Sequence, residues 1–179
     1  MKKTLLSFVI VSIIPVFFIS CLTTIPALKS QHDALVVIIV EEDIDTSLLN
    51  MSIDSRLELA IKGIEKPLIV KRKKGLMISS DLSPGNYEIT HWYVRNKASG
   101  SWVTDERKKY HPFKLSFNVK PGTINVFPVK FTYWARERGG GSVYQWKTYF
   151  IADDEKKATL DKLSKQKNFS QWKIDYSID

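Results

Sequence analysis

Apolar residues in this chain recur at a spacing of two over short runs, which is the period of a pleated strand. Phe113, Leu115, Phe117 and Val119 alternate with polar residues, as do Leu57, Leu59 and Ile61. Residues 34–40 (ALVVIIV) form a continuous β-branched run and predict a strand buried on both faces. Further strands are predicted over 67–71 and 76–78, around a basic turn at 72–75, then over 86–95, 102–104, 124–134 and 143–151. Within 124–134 the apolar parity changes at Pro128, from Ile124 and Val126 to Val129, Phe131 and Tyr133, which predicts an edge position or a bulge. Residues 41–54 read as an acidic loop with Leu48, Leu49 and Met51 turned inward, and 138–142 (RGGGS) as a loop. One helix is predicted, capped by Asp153 or Asp154 and running to about Gln166, with Ala158, Leu160 and Leu163 on its apolar side. Trp172, Ile174, Tyr176 and Ile178 alternate with polar residues and predict a final added strand. Together these elements predict a mainly β protein, an antiparallel β-sandwich with one C-terminal helix.

The first twenty residues follow a different rule. Lys2 and Lys3 precede an apolar stretch from Leu5 to Phe18, interrupted only by Ser7, Ser12 and Pro15. A positive start followed by an apolar run of this length is the pattern of a secretory signal peptide. The stretch leads into Phe18-Ile19-Ser20-Cys21, and Cys21 is the single cysteine of the chain. This resembles the lipobox of bacterial lipoproteins, in which apolar residues and a small residue precede an invariant cysteine. The resemblance implies that Cys21 takes a diacylglyceryl group on sulfur and becomes the first residue after cleavage. It also implies that Leu22, standing where Asp would retain some lipoproteins in the inner membrane, favours the outer membrane. Two other outcomes are compatible with the pattern. The uncharged stretch 4–28 is long enough to stay as an uncleaved anchor, and an ordinary cleaved signal would release a free secreted protein. The expected organisation is a signal at 1–20, a tether at 21–33, a sandwich at 34–152, and a helix and tail at 153–179.

Two turns carry a second resemblance. In Leu82-Ser83-Pro84-Gly85-Asn86-Tyr87 and in Lys120-Pro121-Gly122-Thr123, Pro presets φ at the second position of a type II turn and Gly supplies the positive φ of the third. The leucine-x-proline-glycine-x-tyrosine spacing before a strand resembles small bacterial β-sandwich modules of the prealbumin-like or carboxypeptidase-regulatory-like kind. That resemblance implies a sandwich and no catalytic residue.

Composition narrows the chemistry. The 179 residues are 44% hydrophobic and 26% charged, which excludes a disordered or collagen-like chain, and one cysteine excludes a disulfide scaffold. His32, His91 and His111 lack metal-ligand spacing, so no metal is expected. His91 is expected to be a hydrogen-bonded sheet residue and His111 to lie in a loop. Gly141-Ser142 leads into a predicted strand rather than a helix and lacks the context of a nucleophile elbow. No catalytic residue and no cofactor are expected, and the chain is read as non-enzymatic. The formal charge of +8 is concentrated at 71–74, 107–109 and along the helix, where it reads first as solvated surface. Anionic headgroups and acidic glycans are compatible partners, and nucleic acid is not expected. Trp92, Trp102, Trp134 and Trp146 define the candidate binding surface, since an exposed indole stacks on sugars or anchors a protein partner. The expected role is a lipid-anchored envelope lipoprotein that binds another envelope protein or serves as an accessory subunit, or else a carbohydrate- or peptidoglycan-binding module.

Overall fold

The structure is a computed structural model and describes residues 24–45, 54–72, 75–98, 101–104, 111–139 and 141–175. Its strands are β1 (Leu35–Ile44), β2 (Ser55–Ile61), β3 (Leu68–Lys71), β4 (Gly75–Ser79), β5 (Gly85–Ala98), β6 (Ser101–Thr104), β7 (His111–Val119), β8 (Thr123–Val126), β9 (Val129–Arg138), β10 (Gly141–Phe150) and β11 (Lys173–Ile174), with one helix, α1 (Asp153–Ser164). In the first sheet β1 pairs with β4 on one side and with β8 and β9 on the other. β9 continues to β10, and β8 to β11. The second sheet runs β3-β2-β5, and β6 and β7 pair with the two halves of the long β5. The two sheets and the C-terminal helix are those of the expected sandwich. Most pairs are antiparallel; β1 with β8, β1 with β9 and β8 with β11 are parallel.

The apolar run of β1 is buried from Leu35 to Val40 because each of its faces meets a different layer. Val36, Ile38 and Val40 join Leu57, Leu59, Ile89, Phe127 and Phe131 between the sheets. Leu35 and Val37 point the other way, into a second core with Ile124, Leu160, Leu163 and Trp172. A strand covered on both sides has no polar face to alternate with.

The apparent change of parity at Pro128 has the same cause. Val37 pairs with Val126 and Val40 with Phe131, so two residues more lie on the second strand than on β1. The insert is a bulge at Phe127 and Pro128, closed by the Phe127 N–H donating to the Val37 carbonyl at 2.8 Å. Two extra residues preserve parity. Ile124 and Val126 face the same side as Trp134, and they are apolar because the second core covers that end of the sheet. The edge position is corrected, since β9 is bonded to both β1 and β10.

Local chemistry departs from expectation at several other points. Gly122 takes φ +64, as a type II turn requires, and its N–H donates to Asp33 O at 2.6 Å. Gly85 takes a wider φ of +155, and that turn is closed instead by the Tyr87 hydroxyl donating to Ser83 O at 2.5 Å. The helix starts after Ala152 without a side-chain cap, and Asp153, Asp154 and Glu155 offset its N-terminal dipole from within the first turn. Ala158 is exposed, and Thr159 takes the buried place beside Leu160 and Leu163. β1 runs on to Ile44, and Leu48, Leu49 and Met51 lie outside the described residues. Strand β9 reaches Arg138 and β10 starts at Gly141, so the glycine loop is a tight hairpin. β11 is the added final strand, with Tyr176 and Ile178 outside the described residues.

The described part of the expected tether is docked. Ile25 is 0% exposed and packs with Leu160, Leu163 and Trp172. Asn168 Nδ2 donates to Ile25 O, Trp172 Nε1 donates to Pro26 O, and Leu28 N donates to Gln171 Oε1, each at 3.0 Å. The segment lacks hydrophobic periodicity because it is held by one buried side chain and three hydrogen bonds rather than by an apolar stripe.

Candidate functional site

Two surface features remain once the core is accounted for. The first is an open groove of about 800 Å³ between the sheets. One wall is β5 and the edge strand β7, and the other is β8, the end of β10 and the first turn of α1. β7 pairs only with β5 among the described strands, so its outer edge borders the groove. Cross-strand pairing sets its floor. Tyr87 lies opposite Phe117, and their rings stack at 5.5 Å. Phe117 meets Phe127 edge-on at 4.9 Å, which ties the groove to the central core. On the outward face Asn118 Nδ2 donates to Asn86 Oδ1 at 2.7 Å.

Phe150 stands at the rim and is 74% exposed. It ends β10 two residues before α1 begins, and no described layer covers it. Charge is balanced along the mouth. Lys62 Nζ bonds Glu88 Oε2 at 2.9 Å and holds that carboxyl below its usual range, and Lys120 pairs with Asp175 at 2.5 Å. Aromatic faces, amide side chains and an open strand edge suit the binding of an extended ligand. The residues lining the groove include no histidine.

The second feature is Trp134, on the outer face of β9 beyond the reach of α1. Lys147 Nζ lies 4.5 Å from its ring centroid, Arg136 Cζ 4.9 Å and Arg138 Cζ 5.9 Å. Arg136 also bonds Asp43 Oδ1 at 2.5 Å, and this partner raises its pKa further. The indole faces are thus already engaged by the protein's own cations.

The three candidate tryptophans whose side chains are described do not come together. Trp92 and Trp146 are buried in the central core, Trp134 faces outward, and the side chain of Trp102 lies outside the described residues. The correction follows from strand parity. Tyr133 and Trp134 face opposite sides, and in β5 a bulge between Ile89 and His91 turns Trp92 inward along with Ile89. His91 is therefore on the face opposite Ile89, where it meets Thr90 Oγ1 at 2.9 Å and stacks on Tyr93. His111 begins β7 rather than lying in a loop. Of the basic clusters, Arg72 bonds Glu42 at 2.9 Å and covers the Tyr133 ring at 4.4 Å, while residues 73–74 and 107–109 lie outside the described residues. No group of three or more histidine, cysteine or acidic side chains suited to a metal occurs among the described residues. Sequence reasoning missed Phe150. The available signal was an apolar pair, Phe150-Ile151, placed at a strand-to-helix junction.

Neither protein-family models nor curated proteins nor solved structures give a match to this chain.

Proposed function

We propose that this chain is a lipid-anchored, non-enzymatic lipoprotein of a bacterial cell envelope, and that the groove beside β7 holds its binding partner. The observation that carries the reading is Cys21, which follows an apolar export stretch and the pair Ile19-Ser20. Two or three acyl chains at that residue would make membrane attachment long-lived. Leu22 favours the outer membrane. Growth with radiolabelled palmitate, followed by fractionation, tests the anchor. Label is expected in the membrane-bound wild type and to be absent from Cys21→Ala. Equal label in both proteins removes Cys21 as the acceptor.

A second reading, that the partner is a glycan such as a peptidoglycan strand, is favoured by the exposed Phe150, which lines the groove together with Asn86 and Asn118. An aromatic face with neighbouring amides is a stacking platform with hydrogen-bonding groups for ring hydroxyls. Phe150→Ala is expected to weaken binding of peptidoglycan fragments about tenfold, while unfolding stability changes by less than about 0.5 kcal/mol. Titration by calorimetry reads the first and urea unfolding the second. Wild-type protein that binds no envelope glycan refutes the glycan reading and leaves a protein partner.

A further inference from the structure

The start of the described chain and its last turns form one structural unit, and that unit is strongly basic. Residues 24–32 and 165–174 contain Lys29, Lys165, Lys167 and Lys173 and no aspartate or glutamate. All four lysines are exposed, and none forms an ion pair with a described carboxylate. Three of them adjoin residues that clamp the segment. Lys29 follows Leu28, which bonds Gln171; Lys167 precedes Asn168, which bonds Ile25; Lys173 follows Trp172, which bonds Pro26. Of the flanking acids, Asp33 bonds backbone N–H groups and keeps its charge, which still leaves the unit net positive. Asp33 Oδ2 accepts the N–H groups of Lys29 and Ser30 at 2.9 Å each, Asp175 pairs with Lys120, and Asp161 lies one helical turn before Lys165.

Covalent geometry brings this unit close to Cys21. Only Leu22 and Thr23 separate Cys21 from Thr24, so the two Cα atoms are at most about 11 Å apart. That reach is near the screening length of about 8 Å at physiological salt. A body held by so short a link stays next to the membrane surface, and only lysines on its facing side come within that length.

We propose that the docked end of the body, which carries Lys29, Lys165, Lys167 and Lys173, lies against anionic phospholipid headgroups of the membrane that holds the lipid on Cys21. The proposal rests on the lipoprotein reading above. It adds an orientation. The body stands on the surface by the docked end, and the β9–β10 hairpin with Arg138 projects away. Lys71 and Lys97 belong to the far half. Lys71 forms no ion pair with a described acid and lies opposite Arg56 of β2, and the Lys97 N–H bonds Asp54 O beside Ser55, which meets Trp146. Trp146 lies opposite Tyr133, and Tyr133 opposite Glu42, about 23 Å along β1 from Leu35.

The test uses the full, natively processed protein. Mass spectrometry of the Cys21 peptide first establishes the lipid. The protein is then placed in phosphatidylethanolamine vesicles with and without phosphatidylglycerol, and lysines are footprinted with an amine-reactive reagent. Labelling of Lys29, Lys165, Lys167 and Lys173 is expected to fall about fivefold in the anionic vesicles and to recover in high salt. Lys71 and Lys97 are expected to label equally in both. The double variant Lys29→Glu/Lys167→Glu is expected to lose the protection of Lys165 and Lys173. Uniform labelling on a protein that carries its lipid overturns the proposed orientation and leaves the anchor standing. A bare Cys21 thiol overturns the lipoprotein reading and the orientation with it.

Discussion

Trp146→Ala is expected to cost about 4 kcal/mol of folding stability, read as a lower urea midpoint at unchanged slope. Trp146 is 3% exposed and sits where the two sheets meet. Its ring lies edge-on to Tyr133 at 5.3 Å, and its Nε1 donates to Ser55 Oγ, on β2 of the opposite sheet, at 3.0 Å. Alanine removes the indole, leaves a cavity that rigid strands close poorly, and leaves the buried Ser55 hydroxyl without this partner. Trp146→Phe separates the contributions. It keeps most of the volume and loses the hydrogen bond, so about 1–2 kcal/mol is expected. A loss below about 1 kcal/mol in the alanine variant would mean that the sheets do not depend on this contact.

Tyr133→Phe is expected to act in the opposite direction, and the difference should grow at high pH. Tyr133 is 1% exposed, and its hydroxyl has no hydrogen-bond partner among the described residues. Removing an unsatisfied buried hydroxyl is expected to stabilise the fold by about 1 kcal/mol at neutral pH. Burial pushes the phenol pKa up to about 12, and Arg72 over the ring offsets part of that shift. The neutral form is thus the one the fold prefers. This contribution is fully present below pH 10, where the unfolded phenol titrates, and is lost as pH rises through the folded value near 12. Wild type should therefore lose about 2–3 kcal/mol relative to Tyr133→Phe between those limits. Comparing the two proteins cancels the other tyrosines and lysines. Parallel stability curves from pH 9 to about 12 would show that the phenol ionises as freely when folded as when unfolded.

The strands and the helix were legible because each rests on a local signal. Period-two apolar spacing gave β2 and β7, and the β-branched run gave β1 with both faces covered. Pro121-Gly122 gave a turn in which Gly122 takes the expected positive φ of +64. What was not legible depends on contacts distant in sequence. The exposure of Phe150, which shares the inter-sheet face of β10 with Trp146, is set by the open groove between the two sheets at that end. The inward placement of Trp92 is set by a bulge at Thr90, which adds one residue relative to β2 and reverses the side on which the later residues of β5 lie. The docking of residues 24–28 depends on Asn168, Gln171 and Trp172, more than 140 positions away. An aromatic-rich sequence names its indoles equally, and only the assembled sheets decide which are core.

Polypeptides leave the ribosome N-terminus first, so the groups that fix Ile25 and Pro26 are among the last synthesised, 143 and 146 positions downstream. Asn168 receives Ile25 from a left-handed backbone at φ +69, a geometry reached only after the helix before it has ended. The first folded segment is therefore the last to settle. Until the last turns are in place the second core lacks Phe169 and Trp172, and the buried place that Ile25 fills is incomplete.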